Sequence, residues 1–94
     1  MKHCILAKWA GNVTDKAALL PQIRALMYPA STIPGVRGVE VYPCCVDRAN
    51  RYDLMIVLDM DKDALPSWDA SDIHHRWKDE YGDLLEKKAI FDYE

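Results

Sequence analysis

The chain has 94 residues, of which 50% are hydrophobic and 29% are charged, and its formal net charge is −3. These proportions are typical of one folded globular domain over residues 1–94 and exclude a disordered chain. No run of lysine or arginine offers a surface for phosphates, so nucleic-acid and membrane-surface binding are not expected. No stretch is long enough to span a bilayer, and the opening residues lack the anatomy of a signal peptide, so the cytoplasm is the expected location.

The first residues predict a strand followed by an amphipathic helix. Residues 2–9, KHCILAKW, form a short apolar run that ends at AGN, which is typical of a buried strand. Alternation along that strand puts four side chains on one face: His3, Ile5, Ala7 and Trp9. Thr14 is the expected helix N-cap, and the apolar residues that follow recur with helical spacing at 19, 20, 23, 26 and 27. Pro21 predicts a kink or the first turn of a second helical segment.

Two further strands, over residues 36–45 and 51–60, predict an antiparallel hairpin that is joined by the polar residues 46–50. In the first of them, Val39 and Val41 share one face while Glu40 and Tyr42 share the other. In the second, residues 52, 54, 56 and 58 alternate with residues 53, 55, 57 and 59. This alternation indicates strands with one face turned toward a core.

The last third of the chain predicts a helix and a closing strand. Residues 61–68 predict a helical turn or two, broken by Pro66. A longer helix is expected over residues 71–88, with Ser71 as its N-cap and with Lys87 and Lys88 in its last turn, where cations are favoured. Residues 89–94, AIFDYE, then predict a strand.

The predicted order of elements is strand, helix, strand, strand, helix, strand. With right-handed crossovers this order gives an α+β fold of the ferredoxin-like βαββαβ type, a four-stranded antiparallel sheet with both helices on one face. The other face is left uncovered although it carries apolar residues such as Leu6. Because such a face needs a cover, we expect a homodimer that packs sheet against sheet into a dimeric α+β barrel.

The segment SDIHHRW contains two adjacent histidines that helical geometry separates. His74 precedes Trp77 by three residues and Tyr81 by seven, so it projects along the buried stripe of the helix. His75 is offset by about 100° and projects to solvent. The adjacent pair therefore cannot hold one ion from a regular helix.

His74 and His3 are the candidate functional residues, because both are expected in the layer between the sheet and the helices. There the two imidazoles could line one cavity, with apolar walls from Ile5, Ala7, Trp9, Trp77 and Tyr81. A largely apolar pocket with a few polar groups is the usual form of a small-molecule site, and an imidazole can act there as a general base. The alternative is that His74 is a hydrogen-bonded core residue.

Neither a metal ion nor a cofactor is expected. A metal site would need a carboxylate such as Asp53 or Asp59 beside His3 and His74, and their sheet faces are not obviously shared. The three cysteines are expected to be free thiols: Cys4, Cys44 and Cys45.

Several segments taken together resemble the stress-responsive A/B barrel (Dabb) family. They are KHCILAKW at the start, IPGV before the second strand, YDLMIVLDM in the third strand, His74 with Trp77 in the last helix, and IFDYE at the end. The resemblance covers nearly the whole chain in order. It implies a ferredoxin-like fold and dimers formed through sheet faces, and the family includes plant stress-associated proteins and a plant polyketide cyclase.

The resemblance also implies roles for three residues. In the cyclase, the second histidine of the last helix acts as the base, and His74 stands at that position. His3 matches the histidine of the opening strand. Trp68 stands where the cyclase has a catalytic tyrosine, and because indole has no phenol, Trp68 is expected to contact a ligand rather than to perform the cyclase reaction.

The expected function is therefore that of a dimeric stress-response A/B barrel protein that binds a small apolar or aromatic molecule between sheet and helices. His74 would be its polar anchor or base, assisted by His3 and without a cofactor. One alternative is a non-catalytic stress or structural dimer without a small-molecule site. Another is a metal-free oxygenase of the related dimeric barrel type, which no residue specifically favours.

Overall fold

The computed structural model describes residues 1–94 and contains four strands and three α-helices. In chain order these are β1 (Lys2–Trp9), α1 (Lys16–Met27), β2 (Val36–Pro43), β3 (Leu54–Met60), α2 (Leu65–Asp69), α3 (Asp72–Tyr81) and β4 (Leu85–Tyr93). Short 3₁₀ turns lie at Tyr28–Thr32, Lys62–Ala64 and Gly82–Leu84. The longest helix, α1, has 12 residues, and none of the helices has the length and apolar character needed to cross a bilayer.

The four strands form one antiparallel sheet in the order β2-β3-β1-β4. With helices between β1 and β2 and between β3 and β4, this order is the ferredoxin-like arrangement, so the predicted α+β fold is confirmed. The register places His3 opposite Leu58 on β3 and opposite Asp92 on β4. Residues directly opposite one another project to the same face, so these three side chains share the face that meets the helices.

The core lies between that face and the helices. Strands β1 and β3 contribute Ile5, Ala7, Trp9, Leu54, Ile56, Leu58 and Met60, all of them buried. The helices contribute Ile23, Leu26, Met27, Trp68, Trp77 and Tyr81. Burial of each large apolar side chain stabilises the fold by about 1.5–3 kcal/mol, so this layer holds the helices against the sheet.

The opposite face of the sheet, which we call the open face, has no helix over it. Its apolar side chains come from all four strands: Cys4, Leu6, Tyr42, Met55, Val57, Ala89, Phe91 and Tyr93. The three aromatic rings among them are exposed, at 48% for Tyr42, 63% for Phe91 and 49% for Tyr93. The predicted uncovered face is therefore present in the structure.

Helix α1 begins one residue later than predicted. Asp15, not Thr14, is the N-cap, and its carboxylate accepts a hydrogen bond from the Ala18 N–H at 3.2 Å. An aspartate in this position also places a negative charge at the positive end of the helix dipole. The helix then runs through Pro21 to Met27 without a second segment, with the predicted apolar stripe on the core.

The connection between β2 and β3 is longer than predicted. Strand β2 ends at Pro43, which has no N–H to donate to the ladder, and β3 begins only at Leu54. Residues 44–53 thus form the loop. In β2, Val39 and Val41 lie on the helix side while Glu40 and Tyr42 lie on the open face, as predicted.

The final helix is shorter than predicted, and the final strand is longer. Ser71 caps α3 as expected, accepting a hydrogen bond from the His74 N–H at 3.1 Å, but the helix ends at Tyr81 rather than at residue 88. Lys87 and Lys88 lie in β4, opposite residues of β1. The interpretation of Pro66 was also wrong, because it lies in the first turn of α2, where its missing N–H costs no helical hydrogen bond.

Candidate functional site

A pocket of about 370 Å³ opens between the sheet and the last two helices, and we call it the histidine pocket. The strands contribute His3, Ile5, Lys88, Ile90 and Asp92. Helices α2 and α3 contribute Leu65, Asp69, His74, Trp77 and Lys78. The pocket exists because the helices cover β1 but leave the edge strand β4 uncovered, so Ile90 on the helix side of β4 stays 50% exposed.

His3 forms the base of this pocket and is held by the edge strand. It is 5% exposed, and its Nδ1 lies 2.5 Å from Oδ1 of Asp92, its neighbour across the β1–β4 ladder. Because the carboxylate accepts, Nδ1–H of His3 donates this bond. In a neutral ring the lone pair is then on Nε2, which has no hydrogen-bond partner within the chain.

His74, on the helix side of the pocket, is also held through Nδ1 of its ring. Its backbone N–H donates to the hydroxyl of Ser71, and its ring Nδ1 lies 2.9 Å from the backbone carbonyl oxygen of Asp69. A carbonyl oxygen can only accept, so Nδ1–H of His74 donates and the lone pair of the neutral ring is again on Nε2. Both histidines of the pocket are therefore oriented through Nδ1, and each has a free Nε2.

Trp68 separates the two imidazoles. Its ring centroid lies 6.4 Å from that of His3 and 5.1 Å from that of His74, and the side chain is completely buried. Its indole N–H has no acceptor within the chain. Trp68 therefore packs against both histidines on their core side and sets the spacing between them. It does not line the pocket.

Three other expected contact residues also lie away from the histidine pocket. Ala7 is fully buried in the core, and Trp9 lines a different pocket at the far end of β1. Tyr81 stacks on Trp77 at 5.9 Å and donates a hydrogen bond from its hydroxyl to Gln22. Burial, together with the charge of Glu80, raises the pKa of Tyr81, so this phenol stays protonated as a packing residue.

The structure therefore brings together four of the residues named from the sequence: His3, Ile5, His74 and Trp77. His75 is exposed, and its Nδ1 donates to the carbonyl oxygen of Ser71 at 2.8 Å. The carboxylates considered for a metal site lie elsewhere. Asp59 is on the open face, and Asp53 is bonded to Lys16 and to the N–H of Trp9.

Sequence reasoning missed four charged residues of the pocket: Asp69, Lys78, Lys88 and Asp92. Asp92 orients His3, and Lys78 and Lys88 lie at the pocket wall without an ion pair. Asp92 belongs to the segment IFDYE, but its partner follows only from the register of β4 against β1. Lys88 was missed because residues 85–88 were predicted to be helical.

Comparisons with known proteins bear on the fold. No family model and no curated protein matches the sequence. Among solved structures, the chain is similar to a dimeric protein of unknown function with a ferredoxin-like fold from Bacteroides fragilis. The TM-score is 0.82 at 18% identity, over 99% of this chain and 93% of that one.

Two further solved structures have the same arrangement. A Dabb family protein from Mesorhizobium loti gives a TM-score of 0.71 at 18% identity, over 99% of this chain and 93% of that one. A hydroxynitrile lyase from Passiflora edulis gives a TM-score of 0.72 at 15% identity, over 98% and 89% of the two chains. The resemblance to the Dabb family noted in the sequence is thus confirmed for the fold: this chain has the ferredoxin-like fold that a Dabb family protein also adopts.

Proposed function

We propose that this chain is a Dabb-type protein that binds a small apolar or aromatic molecule in the histidine pocket, with His74 as its polar anchor or general base. The observation that carries the proposal is the common orientation of His3 and His74. Each ring donates from Nδ1 to an oxygen of the protein and leaves Nε2 without a partner in the chain, and both residues line the same pocket. The predicted cytoplasmic location stays a prediction.

A free Nε2 accepts hydrogen bonds, and this preference defines the ligand class. A ligand that fits the pocket would present an acidic O–H or C–H to His74 while its apolar part contacts Trp77 and Ile90. Transfer of that proton to Nε2 would leave an imidazolium whose Nδ1–H stays bonded to the Asp69 carbonyl. Asp92 would stabilise a positive charge on His3 in the same way. One protein of this fold is a hydroxynitrile lyase, so the fold supports enzymes.

We also propose that the chain forms a homodimer through its open face. Leu6, Phe91 and Tyr93 leave apolar surface in water there, and burial of such surface is the main driving force of association. The protein of similar fold from Bacteroides fragilis is described as dimeric. A two-fold packing of one open face on another would cover the aromatic rings of both protomers.

The alternative function is a dimer without a small-molecule site, and Trp68 is the observation that favours it. In the plant cyclase of the family that the sequence resembles, a catalytic tyrosine holds this position, whereas here a buried indole packs against both histidines from the core. Binding of a ligand to the histidine pocket distinguishes the two functions.

The test uses 2-naphthol, a neutral aromatic molecule with one acidic hydroxyl. We expect calorimetric titration to show binding that His74→Ala weakens about three- to tenfold, as for loss of one hydrogen bond. His75→Ala is the matched control, because it removes the neighbouring imidazole from the exposed side of the same helix. No binding by the unmodified protein, or equal losses in both variants, would favour the dimer without a site.

A further inference from the structure

A second pocket, of about 420 Å³, lies at the opposite end of β1 from the histidine pocket. Strand β1 runs from His3 to Trp9, so the two pockets occupy the two ends of the same helix-covered face. The second pocket, which we call the loop pocket, is bounded by the start of α1 and by the loop 44–53. Its volume lies in the range of small-molecule sites.

The floor of the loop pocket is apolar. It is formed by Trp9, which is 4% exposed, by Leu54, and by Leu20 of α1, while Pro43 and Val46 add apolar walls. Trp9 and Leu54 are each 4% exposed, so most of the apolar surface that a ligand would contact comes from Leu20, Pro43 and Val46. The floor therefore favours a ligand with an aromatic or short aliphatic body.

The rim of the loop pocket carries an excess of positive charge. Lys16 is neutralised by Asp53 at 3.0 Å, and the other oxygen of Asp53 accepts the N–H of Trp9 at 2.7 Å. Arg48 and Arg51 form no ion pair, and neither does Asp47.

Besides the Lys16–Asp53 ion pair, the rim therefore carries two guanidinium groups and one carboxylate, although the net charge of the whole chain is −3. Arg51 also donates from its guanidinium to the side-chain oxygen of Asn50 at 2.7 Å. The net excess of one positive charge beside an apolar floor is complementary to a carboxylate, because guanidinium binds carboxylate through parallel hydrogen bonds.

The loop that carries these arginines is anchored at several points. The N–H of Asp53 donates to the carbonyl oxygen of Ala7 at 2.8 Å, and that of Cys44 donates to the carbonyl oxygen of Asp53 at 2.8 Å. The ammonium group of Lys8 donates to the carbonyl oxygen of Ala49. A ligand would therefore enter a pocket that is already formed, which lowers the entropic cost of binding.

We propose that the loop pocket is a second ligand site, which binds small aromatic carboxylates with the ring among the apolar lining residues beside Trp9 and the carboxylate on Arg48 and Arg51. It is separate from the histidine pocket and differs from it in its polar groups. The histidine pocket combines two imidazoles with Lys78 and Lys88, whereas the loop pocket has no histidine and offers two guanidinium groups beside apolar side chains.

The test is a titration with 2-naphthoate, followed by two-dimensional ¹H–¹⁵N NMR of the three tryptophan indole N–H signals. Single Trp→Phe variants assign the signals, so that Trp9 reports on the loop pocket and Trp77 on the histidine pocket. We expect the Trp9 signal to shift with added 2-naphthoate. The double variant R48Q/R51Q should bind about tenfold more weakly, since each exposed ion pair contributes up to about fivefold.

Two controls make the result specific. The variant K78Q/K88Q removes the same amount of charge from the histidine pocket and should leave the Trp9 titration unchanged. The uncharged analogue 2-naphthamide should bind about as weakly as 2-naphthoate binds R48Q/R51Q. The proposal is overturned if the Trp9 signal does not move, if R48Q/R51Q binds 2-naphthoate as tightly as the unmodified protein, or if only Trp77 responds.

Discussion

Removal of one aromatic ring from the open face should dissociate the proposed dimer. Phe91 is 63% exposed in the isolated chain, which leaves about 125 Å² of its surface for burial against a partner. At about 25 cal/mol per Å² that burial is worth about 3 kcal/mol, of which Phe91→Ala removes about 2 kcal/mol. Because each dimer contains two copies, the loss of up to about 4 kcal/mol raises the dimer dissociation constant about a thousandfold.

Sedimentation equilibrium over a range of protein concentrations measures that constant directly. Ile90→Ala is the matched control, because Ile90 is adjacent on β4 and 50% exposed but lies on the helix side of the sheet. We expect Ile90→Ala to leave the dissociation constant unchanged, and urea unfolding of both variants to verify that the protomer still folds. Two outcomes would refute the reasoning: an unmodified protein that is monomeric at micromolar concentration, or equal effects of the two substitutions.

Two further predictions concern stability, and urea unfolding tests both. Gly35 has φ +89°, and a Cβ at this position would lie 2.7 Å from Cβ of Ala64. Gly35→Ala should therefore destabilise the fold by about 1–3 kcal/mol. Gly82→Ala is the control and should not destabilise the fold, because a Cβ at Gly82 would meet open space. Hydrogen bonds from Arg37 hold the pKa of Asp59 below its ordinary value, so this stabilisation is present above about pH 4 and is lost as the pH falls through the folded-state pKa. Asp59→Asn should therefore flatten the decline of the unfolding free energy in acid, and an unaltered slope would contradict this assignment.

The strands of the sheet could be predicted from the sequence because residues that face the core alternate with residues that do not. In β3, every second residue from Leu54 to Met60 is buried, and that period of two is visible in the sequence. The end of α3 could not be predicted in this way. The residues after Tyr81 include good helix formers, and only their pairing with β1 makes 85–93 a strand. Long-range pairing of this kind has no local signal.

The same difference between local signals and long-range pairing applies to the candidate site. Helical spacing was enough to separate His74 from the exposed His75, because both belong to one local element. The partner of His3 was not predictable, because Asp92 is 89 residues away in the chain and reaches it only through the β1–β4 register. Nor could the sequence show that Trp9 belongs to the loop pocket, since that pocket depends on how the loop 44–53 folds over the end of β1.

Strand β4 links the proposed dimer to the proposed ligand site. Its residues alternate between the two faces, so Phe91 lies on the open face while its neighbours Ile90 and Asp92 line the histidine pocket. β4 is an edge strand that pairs with β1 along its length and with no other strand, and most of its side chains stay exposed within one chain. A partner protomer packed on Phe91 would hold the strand from the open side and, through Asp92, keep His3 oriented in the pocket. Dimer formation and ligand binding would then depend on the position of the same nine-residue strand.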